Sequence, residues 1–248
     1  MVLLTLIFCA RFFRPGIMLN MEKILNKYGD KLIQTTGSHG ADISAQRIDD
    51  LDKKALRHVL KNAEKNLRGI DAGCGYGTQS VRFALLNVEM HLIDILDLRQ
   101  RIMDISKILF LTNKLIYIQK DIKELEITDL PQHIDFVYSQ RFIHYLTYNE
   151  ANTFVSTIAK LLKKKGLVFI SASGVRSELG TGYKGNSLRI EKRYFKLSRS
   201  IALKHNILEK VCLYSKEELS ELLAQNKLKV QEIWESPFGN IKAIAMKQ

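Results

Sequence analysis

The stretch GIDAGCGYGTQS, residues 69–80, sets three glycines at alternate positions between a short apolar run and a helical pattern. Glycines in such a turn let backbone approach a ligand closely, and the helix N-terminus behind them favours polar or negative groups. A phosphate-binding P-loop is excluded, because no Gly-Lys-Ser/Thr follows. The spacing is GxGxG rather than the GxGxxG of dinucleotide sites. Asp71, at the end of the strand, would face a pyrophosphate unfavourably and suits a cation such as an α-amino group. The acid Asp94 stands after the next apolar run in HLIDILD, where it can accept both hydroxyls of a ribose. A ribose is common to dinucleotide and adenosyl ligands, so Asp94 leaves both open.

Around this loop, short apolar runs alternate with helical patterns. Residues 67–72, 88–93, 115–119, 134–138 and 166–171 read as strands, and 78–86, 98–111 and 151–164 as helices. Alternation of this kind builds a parallel sheet covered on both faces, with ligands at the carboxyl ends of the strands. A further helix is predicted over 215–225, where Ser215 and Glu218 form a capping box. Strands at 229–235 and 240–247 follow, and the tight turn SPFG between them makes them antiparallel. Ahead of the sheet, a helix from Ser44 to about Asn66 carries Ile48, Leu51, Ala55, Val59 and Leu60.

The chain has 248 residues, 46% of them hydrophobic, and a net charge of +12. That fits one large globular domain attracted to anions, whether nucleic acid, an acidic small molecule or a membrane surface. Cys9, Cys74 and Cys212 stand far apart without histidines at ligand spacing, which argues against a disulfide framework or a metal site and for a reducing cytoplasm. The opening MVLLTLIFCA is shorter than a membrane span, so no stable membrane insertion is expected. Residues 1–20 read as an over-extended start or a non-core segment, and an amphipathic helix with Ile24, Leu25, Tyr28 and Leu32 on one face starts at Met21.

GIDAGCGYGTQS, LIDILD, IQKDIKEL, IDFVYSQRFIHYL and LLKKKGLVFISASG, with the closing hairpin, together resemble the successive motifs of class I S-adenosylmethionine-dependent methyltransferases. The resemblance covers roughly 67–173 and 215–248. It implies a Rossmann-like, mostly parallel seven-stranded sheet with helices on both faces and a C-terminal antiparallel hairpin, and S-adenosyl-L-methionine as cofactor. Asp71, Gly73 and Gly75 then hold the methionine part, with Gly77 completing the loop. Asp94 holds the ribose, and Asp121 and Ile122 the adenine, which Ile95 and Ile122 can sandwich. Ser139 or Gln140 sits beside the sulfonium. Residues 21–66 become an N-terminal helical lid, with His39 and Arg47 in a segment that folds over the cofactor, and 67–248 the methyltransferase domain.

Candidates for the chemistry follow the fourth strand in SQRFIHYL. His144 can take a proton near pH 7 or simply pack, Tyr145 can line the pocket, and Arg141 can pair with an acidic group. Motifs of adenine or glutamine amino-group methylation and of pyrimidine C5 methylation are missing. An insert at about 174–212 stands where similar enzymes carry a substrate cover. Its glycines at 174, 180, 182 and 185 predict a mobile loop, and from Lys184 to Lys210 eight Lys/Arg face two Glu. Interleaved with Tyr183, Tyr194 and Phe195, these residues suit RNA, an anionic metabolite, or one solvated face of a helix with Ile190, Tyr194, Leu197 and Ile201 inward. The acceptor is expected to be a small molecule, with RNA (tRNA or rRNA) through 184–210 as the alternative. A non-catalytic cofactor-binding subunit and a nicotinamide oxidoreductase are the other readings.

Overall fold

The computed structural model describes residues 25–28 and 48–248. It divides into two compact units, 1–32 and 33–248. In the first, residues 25–28 form a bridge and a turn in which Asn26 Oδ1 accepts from the Tyr28 N–H at 2.9 Å, so the helix expected from Met21 does not run through them. The other expectations on residues 1–47, including the over-extended start, His39 and Arg47, lie outside the described residues.

Among the described residues of the second unit the first helix is α1 (Asp50–Lys61). Asp49 caps it, accepting from the N–H groups of Leu51 and Asp52 at 2.9 and 3.2 Å while Asp52 returns a bond to the Asp49 N–H. Leu51, Ala55 and Val59 are buried, whereas Ile48 and Leu60, which the sequence pattern placed on the same face, are exposed. The chain then alternates β1 (Arg68–Ala72), α2 (Thr78–Ala84), β2 (Glu89–Asp94), α3 (Arg99–Ile108), β3 (Leu115–Gln119), β4 (Ile134–Gln140), α4 (Tyr148–Leu161) and β5 (Leu162–Ser173). After the insert come α6 (Lys216–Gln225), β8 (Leu228–Glu235) and β9 (Asn240–Lys247). The seven strands lie in the order β3-β2-β1-β4-β5-β9-β8. The first five are parallel, and β9 enters antiparallel between β5 and β8. This is the Rossmann-like sheet with a closing hairpin that the sequence predicts.

Each face of the sheet has its own core. Ile70, Val137 and Ile170 pack under α4 and α6. Met90, Leu92, Phe136 and Phe169 pack under α1, α2 and α3, with the Phe83 and Phe136 rings edge to face at 5.2 Å. Two boundaries differ clearly from the sequence reading: α1 ends at Lys61 rather than near Asn66, and α4 ends at Leu161, where the lysines after it open β5. The left-handed conformation of Lys165 (φ 66°) is incompatible with a continuing helix, and Lys163 reaches across to Asp135 at 2.8 Å.

The insert is packed rather than mobile. It leaves β5 and rejoins the fold at neighbouring points, where Val175 N–H donates to the Tyr214 carbonyl and Tyr214 N–H to the Ser173 carbonyl, both at 3.0 Å. Between them lie a two-residue strand pair, β6 (Phe195–Lys196) with β7 (Lys210–Val211), and the short helix α5 (Arg199–His205). Leu179, Tyr183, Leu197, Ile201, Ile207, Val211 and Leu213 form its own core. The sequence glycines serve close packing: a Cβ on Gly180 would stand 1.9 Å from the Val175 carbonyl oxygen. The inward-facing residues hold, but on turns and one short helix instead of a long amphipathic one.

Arg193 is the sharpest correction in this segment. Expected on a basic surface, it is buried, pairs with Glu218 at 2.7 Å and donates to the carbonyls of Gly185, Leu188 and Leu213. Removing one partner of a buried, hydrogen-bonded pair costs about 3–5 kcal/mol. Thermal unfolding should therefore show Arg193→Met strongly destabilised, while Lys196→Gln, on the surface, stays within about 0.5 kcal/mol of the parent.

Candidate functional site

A cavity of about 250 Å³ opens at the carboxyl ends of β1, β2 and β4. The chain reaches it by four routes: the glycine loop after β1, Asp94 to Leu96 after β2, Asp121 to Lys123 after β3, and Gln140 to Leu146 at the end of β4. The insert supplies Tyr194, His205, Ile207 and Glu209. Gly73, at φ 70°, takes a turn that favours glycine, and a Cβ there would lie 2.5 Å from the Phe142 ring.

Of the residues singled out in the sequence, Asp71, Gly73, Gly75, Asp94, Ile95, Asp121, Ile122, Gln140, Arg141, His144 and Tyr145 all line this cavity. Two do not. Ser139 is fully buried and donates to the Ala72 carbonyl at 3.1 Å, because on this strand Gln140 is the residue that reaches the cavity. Gly77 caps α2 in a left-handed conformation, and a Cβ on it would meet Ile102 and Leu92 in the core.

The acids of the site are held in different ways. Asp94 fixes the loop, accepting from the Gly75 N–H at 2.8 Å and the Leu96 N–H at 3.1 Å, and a carboxylate retains lone pairs for further donors. Asp121 accepts from the Lys123 N–H at 3.0 Å. Asp71 is buried and accepts from the Ser80 hydroxyl at 2.6 Å; among the described residues no cation pairs with it. Burial, and then the nearby charges of Asp94 and Asp52, push its carboxyl up to about 7.

Behind Asp71 a polar chain links the cavity wall to α1. Gln140 donates to Asp49 at 2.5 Å and accepts from the Tyr138 hydroxyl at 2.7 Å, and that hydroxyl also contacts Asp52. One hydroxyl proton cannot serve both oxygens, and burial together with the Asp49 charge raises the Asp52 carboxyl to about 6.

His144 differs from the expected base. It is 1% exposed, neither ring nitrogen has a partner, and burial, with Arg141 nearby, pushes it down to about 3. Near neutral pH it is an uncharged hydrogen-bonding group. Sequence reasoning missed Gln79. Its Oε1 accepts from Arg82 at 2.8 Å, which turns the buried Nε2, without a partner, away from Arg82 in a side chain that lines the cavity. Its place in the first turn of α2, just past the glycine loop, was the available signal.

The sequence matches the Methyltransferase domain family over residues 18–233, most of its length. The chain belongs to that family. The methyltransferase is similar in structure to a 1,6-didemethyltoxoflavin N1-methyltransferase from Burkholderia thailandensis, with 14% identity, TM-score 0.60 and coverage of 85% of this chain and 84% of that one. It is similar also to the magnesium protoporphyrin IX methyltransferase of Synechocystis (15%, TM-score 0.60, 89% and 91%). A third similar structure is a methyltransferase from Methanosarcina mazei (17%, TM-score 0.56, 76% and 96%). No curated protein matches the sequence. The fold is that of the class I S-adenosylmethionine-dependent enzymes.

The residues present fit that cofactor. A buried carboxylate lacking a cation near the end of β1 and a buried amide N–H lacking an acceptor in the first turn of α2, eight positions apart, are complementary to the ammonium and carboxylate of an amino acid. Among the described residues, no cluster of side chains could hold a metal ion, and no helix is long and apolar enough to cross a membrane.

Because the folded-state pKa of Asp71 is raised, its contribution to stability is present at acid pH and is lost as pH rises through about 7. Asp71→Asn, which removes the buried charge, should raise the melting temperature of the ligand-free methyltransferase at pH 8 by about 2–4 °C per kcal/mol relieved. The difference from the parent should shrink toward pH 5, which differential scanning fluorimetry across pH would measure.

Proposed function

We propose that the methyltransferase moves the methyl group of S-adenosylmethionine to a small molecule held in this cavity. The observation that carries the reading is enclosure: Tyr194, His205, Ile207 and Glu209 of the insert wall the cavity opposite the cofactor loops, and His144 on its lining is 1% exposed. When bound, the cofactor supplies an electrophilic methyl on a sulfonium.

In this reading Asp71 accepts from the cofactor's ammonium and Gln79 donates to its carboxylate. Gly73 and Gly75 bring their backbone close, and Asp94 takes the ribose hydroxyls. Asp121 takes the adenine amino group, with Ile95 and Ile122 against the ring, and Gln140 lies near the sulfonium. The remaining work is holding the acceptor close and dry, since charge is neutralised in the displacement. His144, uncharged, orients a polar group and does not store a proton. The domain is read as 67–248 with 21–66 as a lid, and the enzyme as cytoplasmic, which the free buried thiols of Cys74 and Cys212 fit.

RNA is the second reading. The surface lysines and arginines of the insert favour it, although Arg193 is spent on structure and Lys204 pairs with Glu178 at 2.5 Å. Incubation with methyl-labelled S-adenosylmethionine and a fractionated cell extract separates the two. Label is expected in the small-molecule fraction; label confined to RNA would overturn the proposal, and no transfer to any fraction would favour a binding subunit.

Two binding measurements follow for the cofactor. Asp94→Ala should weaken S-adenosylmethionine binding by about 1.5–3 kcal/mol, the value of lost charged hydrogen bonds; calorimetry giving unchanged affinity would remove Asp94 from the ribose site. Because a proton must leave Asp71 before the ammonium can pair with it, affinity should fall by up to about tenfold per pH unit below about 7. Asp71→Asn should bind weakly and without that slope.

A further inference from the structure

We infer that His205 is the general base of the methyl transfer, oriented by Glu178, and that the acceptor is therefore a hydroxyl or ring N–H that gives up its proton as it is methylated. This deepens the methyltransferase reading above and rests on it.

The first observation is a pairing. His205 ends α5 and lines the cavity from the side of the insert. Its Nε2 lies 3.0 Å from Oε2 of Glu178, which is buried in the turn Glu178–Gly180, while Lys204 meets Oε1 of the same carboxyl at 2.5 Å. Beside that ammonium the carboxyl is ionised and can only accept. Nε2 therefore carries the ring proton and Nδ1 keeps a lone pair. A base whose tautomer and orientation are set by a third group is the arrangement that proton abstraction requires.

The second observation is that the neighbouring groups are less suited to the task. His144 is 1% exposed and has no carboxylate behind it, and at about 3 it holds a proton too weakly. Burial raises Tyr145 and Tyr194, which keep their protons. The His205 side chain retains 14% exposure, so a proton it has taken can pass on to water. Burial lowers its pKa from the usual 6.5 against the pull of Glu178, with Arg141 and Lys204 adding to the lowering, and the imidazole is uncharged near neutral pH. Glu209 is the other charged group that the insert sets on this lining. As a proton arrives, Glu178 and the C-terminal end of α5 stabilise the imidazolium.

In the step, His205 Nδ1 takes the proton as the acceptor's O–H or N–H bond breaks. The electron pair left on that atom forms the bond to the methyl carbon. The methyl–sulfur bond breaks with its pair left on sulfur, giving S-adenosylhomocysteine and the methylated acceptor, and His205 then releases its proton to water.

The test uses the full chain with methyl-labelled S-adenosylmethionine and the small-molecule fraction of a cell extract, at saturating cofactor so that the titration of Asp71 stays out of the profile. The initial rate should rise with pH to a plateau, with a midpoint below 6.5. His205→Gln should be slower by at least about a hundredfold at pH 7 and lose that midpoint, while keeping S-adenosylhomocysteine affinity within about threefold. Glu178→Gln should slow the reaction and move the midpoint to lower pH, because the group that raises the imidazole is gone. Label should sit on oxygen or on a formerly protonated nitrogen. Independently of any acceptor, nitrogen-15 NMR of the S-adenosylhomocysteine complex should show a histidine whose neutral form is protonated at Nε2, absent in His205→Gln and titrating lower in Glu178→Gln. A His205→Gln rate close to the parent's would overturn the inference, as would a midpoint that survives in it, such as Asp52 at about 6 would give. Neutral His205 protonated at Nδ1, or label in a sulfonium, a quaternary ammonium or a carbon-bound methyl, would overturn it too. Glu178→Gln that melts lower with its midpoint unmoved would make the pair structural. No transfer to any small molecule would instead sink the methyltransferase reading on which the inference stands.

Discussion

The Phe142 ring occupies the space a side chain on Gly73 would fill, 2.5 Å from that missing Cβ. Through this contact the loop after β1 and the loop after β4 close on each other, beside strands that pair from Gly69–Phe136 to Asp71–Tyr138. The rest of the site follows from it. With the two loops locked, Asp71 and Gln79 stand on one side of the opening and Gln140 to Leu146 on the other. Phe142 is itself fixed from behind by Phe154 of α4, edge to face at 5.9 Å, so the helix on one face of the sheet helps set the geometry of the loops at its end.

Charge is distributed against the overall composition. A chain of net +12 gathers Asp71, Asp94 and Asp121 around its cavity and keeps Asp49 and Asp52 just behind. Lys242, buried and bonded to Asp49 and Asp50, offsets part of that negative field at the N-terminus of α1. Arg82 offsets another part, and its bond to Gln79 turns an electrostatic compensation into a means of orienting an amide. Buried like charges cost stability, and here that cost sits where a cationic ligand would relieve it.

Much of this was legible in the sequence, for identifiable reasons. Strands buried on both faces read as apolar runs, GxGxG and the acids at the ends of β1, β2 and β3 have fixed places relative to strand ends, and SPFG can only reverse the chain. What failed was information carried by the third dimension. A strand buried on both faces hides its alternation, so Ser139 and Gln140 could not be told apart. Lysines do not distinguish a helix end from a strand start, so the pattern starts β5 later than the structure does. Glycines in the insert read as mobility because nothing local says that Val175 or Arg193 will press against them. Arg193 reads as surface because the Glu218 that neutralises it is distant in sequence and, read locally, only caps α6.

The insert leaves the sheet at Ser173 and returns at Tyr214, and those residues are hydrogen-bonded neighbours. A segment whose two ends already touch adds little loop-closure cost to the frame that carries it. Much of its interior is its own, built from residues such as Leu179, Tyr183 and Val211, while Ile190 and Cys212 join the main core and Arg193 ties it to Glu218 of α6. A change of length or packing in that stretch alters what the cavity admits, because Tyr194, His205, Ile207 and Glu209 line it, while the sheet itself keeps its order.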